Sequence, residues 1–157
     1  MIDGLTFRES DHTYWFKGVH VPNVTSILEP VYEWDRVPAD VLEAARQRGT
    51  AVHKACELWS MSDLDEDDLD PVLVPYLAGW KKFCAEHEPK WTDLEGLVFH
   101  PRHRYAGKLD VTCVIRNDCW LIDIKTGGYL RPYDLQTAAY AEAKAAEAGI
   151  SPANWKR

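Results

Sequence analysis

The sequence predicts an α/β domain: a mixed, twisted central sheet in the second half, flanked by helices. Three observations lead there. The first half is dominated by helical periodicity, residues 92–126 switch to the period of strands, and a strong helical segment follows them. At 157 residues the chain is long enough for one domain with a real core and short for two. A hydrophobic content of 46% and a charged content of 27% are globular values, which argues against disorder.

The elements follow in order. "LTFRESDHTYWFKGVHVPNVTSIL" opens with short alternating segments around a turn expected at Lys17-Gly18. Asn23 offers an N-cap for a short helix through Leu28. Asp40 can cap a helix beginning "VLEAARQRG", which Gly49 is expected to break or bend before it resumes from Thr50. The acidic run "DLDEDDLD" (63–70) lacks the glycine and distal glutamate of a calcium loop and reads as solvated loop. "PVLVPYLAGWKKFCAEHE" is a further amphipathic helix, its aromatics assigned to core. "TDLEGLVFH", "YAGKLDVTCVI" and "CWLIDIKT" then read as three strands with short turns. "DLQTAAYAEAKAAEAG" closes as a helix, with Asp134 as N-cap and Gly149 as C-cap.

Composition excludes several functions. No uncharged apolar run approaches the ~18–20 residues of a membrane span. The acidic N-terminus does not resemble a signal peptide. Cys56, Cys84, Cys113 and Cys119 form no CxxC pair and no zinc spacing, which fits reduced, mostly buried thiols in a cytosolic protein. A net charge of −7 argues against coating nucleic acid by bulk electrostatics, though not against a local grip on a phosphate backbone. The basic clusters (Arg102, His103, Arg104 and Lys108; Arg46 with Arg48; Lys81 with Lys82) each read, taken alone, as solvated surface charge.

One stretch resists a purely structural reading. In "LIDIKTG", Asp123 and Lys125 stand two apart within an apolar strand, so both side chains leave on one face. Burying either charge is costly unless it is paired or bound. If the turn "RND" is centred on Asn117-Asp118, Thr112 pairs with Asp123 and Asp110 with Lys125, and the three charged residues converge on one face. A four-residue loop keeps that register and a three-residue loop breaks it. In the preceding hairpin, a four-residue loop at Pro101–Arg104 sets Glu95 opposite Asp110, although other lengths fit. His53 and Glu57 share a helix face at i, i+4, as do Gln136 and Tyr140. Each pair alone has an ordinary structural explanation.

"GKLD", then "LIDIKTG", then "QTAAY" resembles the PD-(D/E)XK nuclease superfamily, in its RecB-like branch. That branch includes phage recombination exonucleases, CRISPR-adaptation nucleases and the mitochondrial genome maintenance exonuclease. "RGTAVH" is similar to the upstream histidine motif of the branch, and "HTYWFKGVHVPNVTSIL" to the N-terminal segment of short phage members. The motifs occur in the family's order and span nearly the whole chain. Iron–sulfur members carry cysteines beyond the Gln–Tyr helix; this chain has none after Cys119, so no cluster is implied. Relatives usually add at least one strand beyond "ISPANWKR".

The resemblance implies a single nuclease domain over residues 1–157 with a restriction-endonuclease-like core. It also implies a metal-dependent deoxyribonuclease, most simply an exonuclease of phage or bacterial DNA recombination, replication or repair. Asp110 and Asp123 would hold Mg²⁺ or Mn²⁺ together with the carbonyl of Ile124, and His53 would add a nitrogen ligand that tilts preference toward Mn²⁺. Lys125 would orient the attacking water or stabilise developing negative charge. Glu95 is either an auxiliary acid for a second metal or an ordinary strand glutamate. Gln136 and Tyr140 would support the site or touch the substrate backbone, and Arg48 is a candidate phosphate contact. The implied partners are DNA, as ends or single strands, and recombination or replication proteins, in the cytoplasm of a bacterium or phage-infected cell. A structure-specific endonuclease and a non-catalytic nucleic-acid-binding module are the alternatives. Polarity, strand preference and oligomeric state stay open.

Overall fold

The computed structural model describes residues 2–32 and 37–157, and the protein is mixed α/β. It divides into two compact units: Met1–Tyr32 with Trp91–Asp123 and Tyr129–Arg157, and Glu33–Lys90 with Ile124–Gly128. No helix among the described residues is long and apolar enough to cross a membrane.

The first unit begins with an antiparallel meander of β1 (Leu5–Arg8), β2 (Thr13–Phe16) and β3 (Val19–Val21). Lys17 and Gly18 make its second turn as expected, both at positive φ (50° and 77°), the conformation that matches strand twist in a two-residue hairpin. Leu5, Tyr14 and Val21 pack with Phe99 and Ala106, and Phe16 stacks on Phe99 with ring centroids 4.1 Å apart. Asn23 caps α1 (Val24–Leu28) as read from the sequence, its Oδ1 accepting from the Ser26 amide at 2.7 Å.

The expected strands of the second half are present, but the first two are each split. "TDLEGLVFH" becomes β4 (Lys90–Leu94) and β5 (Leu97–His100) around Glu95, whose φ of 52° lies in the left-handed region. "YAGKLDVTCVI" becomes β6 (Tyr105–Lys108) and β7 (Val111–Ile115), interrupted at Leu109 and Asp110. "CWLIDIKT" contributes β8 (Asp118–Ile122) and leaves the strand before Asp123. A short β9 (Trp155–Lys156) adds to β8 in parallel, giving the order β4-β7-β8-β9 beside the β5-β6 pair.

The helix α4 spans Pro132–Ala148, not from Asp134: proline fits the first helical turn, where its missing N–H is no loss. Gly149 closes it at φ 66° as predicted. Ala141, Ala143 and Ala145 are all but fully buried, and such small side chains let the helix approach its neighbours closely. Val24, Val98, Leu109, Leu121 and Tyr140 complete the main core with Ala141 and Ala143.

In the second unit, α2 (Ala39–Ser60) and α3 (Val74–His87) pack together, with Trp80 Nε1 donating to Ser60 Oγ at 2.9 Å. Contrary to expectation, α2 runs through Gly49 without a break. One interior glycine costs only ~1 kcal/mol, which the buried Val52, Ala55 and Cys56 beyond it outweigh. The acidic run 63–70 is the loop it was expected to be.

Leu109, with 0% of its surface exposed, sits in the break between β6 and β7. Leu109→Ala is expected to destabilise the protein by about 2–5 kcal/mol in urea unfolding. Val19→Ala, at an exposed strand position, should change stability by less than about 0.5 kcal/mol.

Candidate functional site

Two hairpins build the acidic cluster of the first unit. In the first, Leu97↔Lys108 through His100↔Tyr105 are paired, so the loop is Pro101–Arg104, the four-residue alternative. The pairing persists through the split: Leu109 N donates to Gly96 O at 2.9 Å, and Glu95 N donates to Asp110 O at 2.7 Å. Carboxylate oxygens of Glu95 and Asp110 lie within 4.8 Å of each other. Asp110 is buried, at 9% exposure.

The second hairpin corrects the expected register. Its loop is Arg116-Asn117, both at positive φ (50° and 71°), and Ile115 pairs with Asp118. A turn with two left-handed central residues favours asparagine, which takes the second position as Asn117, while Arg116 takes the first and Asp118 begins β8. Asp123 therefore does not pair with Thr112, nor Asp110 with Lys125; Thr112 pairs with Leu121. The paired register ends at Val111↔Ile122, and Asp110 and Asp123 are the residues next in sequence beyond that pair. The correction moves the pairing by an even number of residues, so each strand residue keeps its face.

Lys108, noted in the sequence only as part of a basic cluster, forms an ion pair with Glu95 at 2.6 Å. Its spacing from Asp110 at i, i+2 was the available signal, since alternate strand residues share a face. Gln136 Nε2 donates to Tyr140 Oη at 3.2 Å, as their helical spacing allows. The Tyr140 ring lies against Gly107, where a methyl group would come 2.6 Å from Cε1. Burial pushes the Tyr140 phenol up, the Gln136 hydrogen bond acts against it, and the charges of Asp123 and Asp110 add to the rise. Tyr14 is likewise pushed up by burial and then by Glu95. Both phenols remain neutral hydrogen-bonding groups beside the acids. Tyr32 is also raised, by burial, by Tyr133 and by Asp123.

In the second unit, His53 on α2 places Nε2 2.7 Å from the carbonyl oxygen of Ile124. A carbonyl only accepts, so Nε2 carries the proton in this contact. Glu57, on the same face, takes an ion pair from Lys54 at 2.8 Å. Arg48 stands on α2, with its Nε buried and without a hydrogen-bond partner among the described residues. Lys125 lies beyond the end of β8, outside the strand in which the sequence had set it.

The donors fit a hard divalent cation. Glu95 and Asp110 bring carboxylate oxygens close together in a half-buried setting. Oxygen-rich donor sets of this kind suit Mg²⁺ or Mn²⁺. Among known proteins, no family model matches the chain and no curated protein matches it significantly.

The Gly107–Tyr140 contact gives the site a direct test. Gly107→Ala is expected to destabilise the protein by about 1–3 kcal/mol through the clash with the ring. The double variant Gly107→Ala/Tyr140→Ala should be less destabilised than the sum of the two single changes in urea unfolding. Additive effects would contradict the close approach.

Proposed function

We propose that the protein is a metal-dependent deoxyribonuclease with a restriction-endonuclease-like core, acting as an exonuclease in DNA recombination, replication or repair. The observation that carries this reading is the close approach of the Glu95 and Asp110 carboxylates, in a chain whose "GKLD", "LIDIKTG" and "QTAAY" resemble the motifs of such enzymes. Asp110 and Asp123 are the acids that would hold Mg²⁺ or Mn²⁺, and Glu95 stands beside them as an auxiliary acid. The roles of His53 and Ile124 as further ligands and of Lys125 rest on their motifs. When bound, the cation would lower the pKa of a water and polarise the scissile phosphate.

The chain's own groups account for the rest of the chemistry. Lys125 would orient the water or offset negative charge that develops on the phosphate. Lys108 holds Glu95 in place and reduces repulsion among the acids. Tyr140, neutral and fixed between Gly107 and Gln136, would give the site a rigid hydrogen-bonding wall. Arg48 would meet a substrate phosphate.

Linear and circular DNA, single- and double-stranded, should be incubated with Mg²⁺ or Mn²⁺ and then with chelator. Linear DNA is expected to be digested only with metal. Lys125→Ala should lower kcat by about 10²–10³-fold, and Asp110→Ala by at least as much. Cleavage that survives Asp110→Ala or chelation contradicts the site, and circles cut as fast as linear DNA would make the enzyme an endonuclease.

A further inference from the structure

Glu95 is paired with a cation of its own hairpin. Lys108 is the last residue of β6, two before Asp110, and its ammonium meets Glu95 Oε2 at 2.6 Å. Ion pairs near a protein surface are usually loose, because two long side chains must be ordered to make them. This one is supported from behind. The ammonium lies 5.9 Å from the centre of the Phe7 ring on β1, and Phe7 packs on the buried Tyr14 with centroids 4.8 Å apart. Glu95 is fixed on its side: its amide donates to Asp110 O at 2.7 Å, and its side chain is only 19% exposed.

An ammonium and a divalent metal ion draw on the same features of a carboxylate, its negative charge and its oxygen lone pairs. A metal ion bound by Glu95 and Asp110 would gain the attraction of both acids, whose oxygens lie within 4.8 Å of each other. It would also meet the repulsion of Lys108, which cannot diffuse away as a solution ion would, since its backbone is held in β6 opposite Leu97. A single and a double positive charge ~5 Å apart in water repel enough to weaken binding roughly tenfold.

We propose that Lys108 is a built-in competitor of the divalent cation: ammonium and metal ion contend for Glu95, and Lys108 thereby sets how tightly the acids bind metal. The proposal rests on the metal-dependent reading of the acids and adds to it a residue that tunes their affinity.

The test is calorimetric titration of Mn²⁺ into the wild type, Lys108→Met, Lys108→Arg and Lys156→Met. Lys156 is an exposed lysine on β9, at the opposite edge of the sheet from β4, so its variant controls for net charge alone. Lys108→Met is expected to tighten Mn²⁺ binding by about 5- to 20-fold. Lys108→Arg keeps the charge and should stay within about 3-fold of wild type. Lys156→Met should stay within about 2-fold, because its charge is screened at that distance. In thermal unfolding, the same excess of Mn²⁺ should raise the midpoint of Lys108→Met by more than that of the wild type. An affinity that Lys108→Met leaves unchanged or weakens, or that Lys156→Met raises equally, overturns the competition while the metal reading stands. Absence of Mn²⁺ binding by both the wild type and Lys108→Met overturns the metal reading and the competition with it.

Discussion

The buried carboxylate of Asp110 is the constraint around which the first unit is arranged. It stands between Leu109 and Val111, both in the core, at the point where one length of chain leaves the β5-β6 pair and joins the β4-β7-β8-β9 sheet. A carboxylate in that setting is costly unless hydrogen bonds or a cation answer its charge. The local backbone is consistent with a site built for such an answer. Glu95 adopts left-handed φ, its amide is tied to the Asp110 carbonyl, and Lys108 pairs with its carboxylate.

Packing around the acids depends on small residues placed where large ones would obstruct. Gly107 lets the Tyr140 ring lie on the strand, and the alanines of α4 bring the helix close enough for that contact. Desolvation then keeps the Tyr140 and Tyr14 phenols neutral, so the acids are bordered by hydrogen-bonding groups without further negative charge. The step from sequence to site thus runs through volume as much as charge: a methyl group at position 107 would reach the site through packing alone.

Much of this was legible in the residues. The Lys17-Gly18 turn, the Asn23 cap and the Gly149 stop follow from local chemistry that needs no tertiary context, whereas the four-residue loop before Tyr105 was one of several lengths that fit. The register of the second hairpin was not, because "RND" offers two adjacent pairs for one turn and only the strands on either side decide between them. The strand breaks at Glu95 and at Leu109–Asp110 escaped for a related reason: the apolar alternation continues across them. Gly49 misled in the other direction, since its intrinsic penalty is smaller than the burial gained by continuing α2. Asp134 looked like a cap and instead receives the hydroxyl of Tyr129. The Glu95–Asp110 approach follows from face-sharing across the first hairpin, while the Lys108–Glu95 pair and the Gly107–Tyr140 contact required three-dimensional neighbours.

The Glu95 and Asp110 carboxylates give the first unit an oxygen-rich cluster of the kind that suits a divalent cation. Binding of a divalent cation by these acids is what the proposed function requires of them. Calorimetric titration of Mn²⁺ into the wild type and into Asp110→Asn, with folding checked by circular dichroism, tests it most directly. Saturable binding to the wild type that is weakened at least about tenfold in Asp110→Asn is the predicted result. No binding to the wild type, or equal affinity in the two proteins, would contradict it.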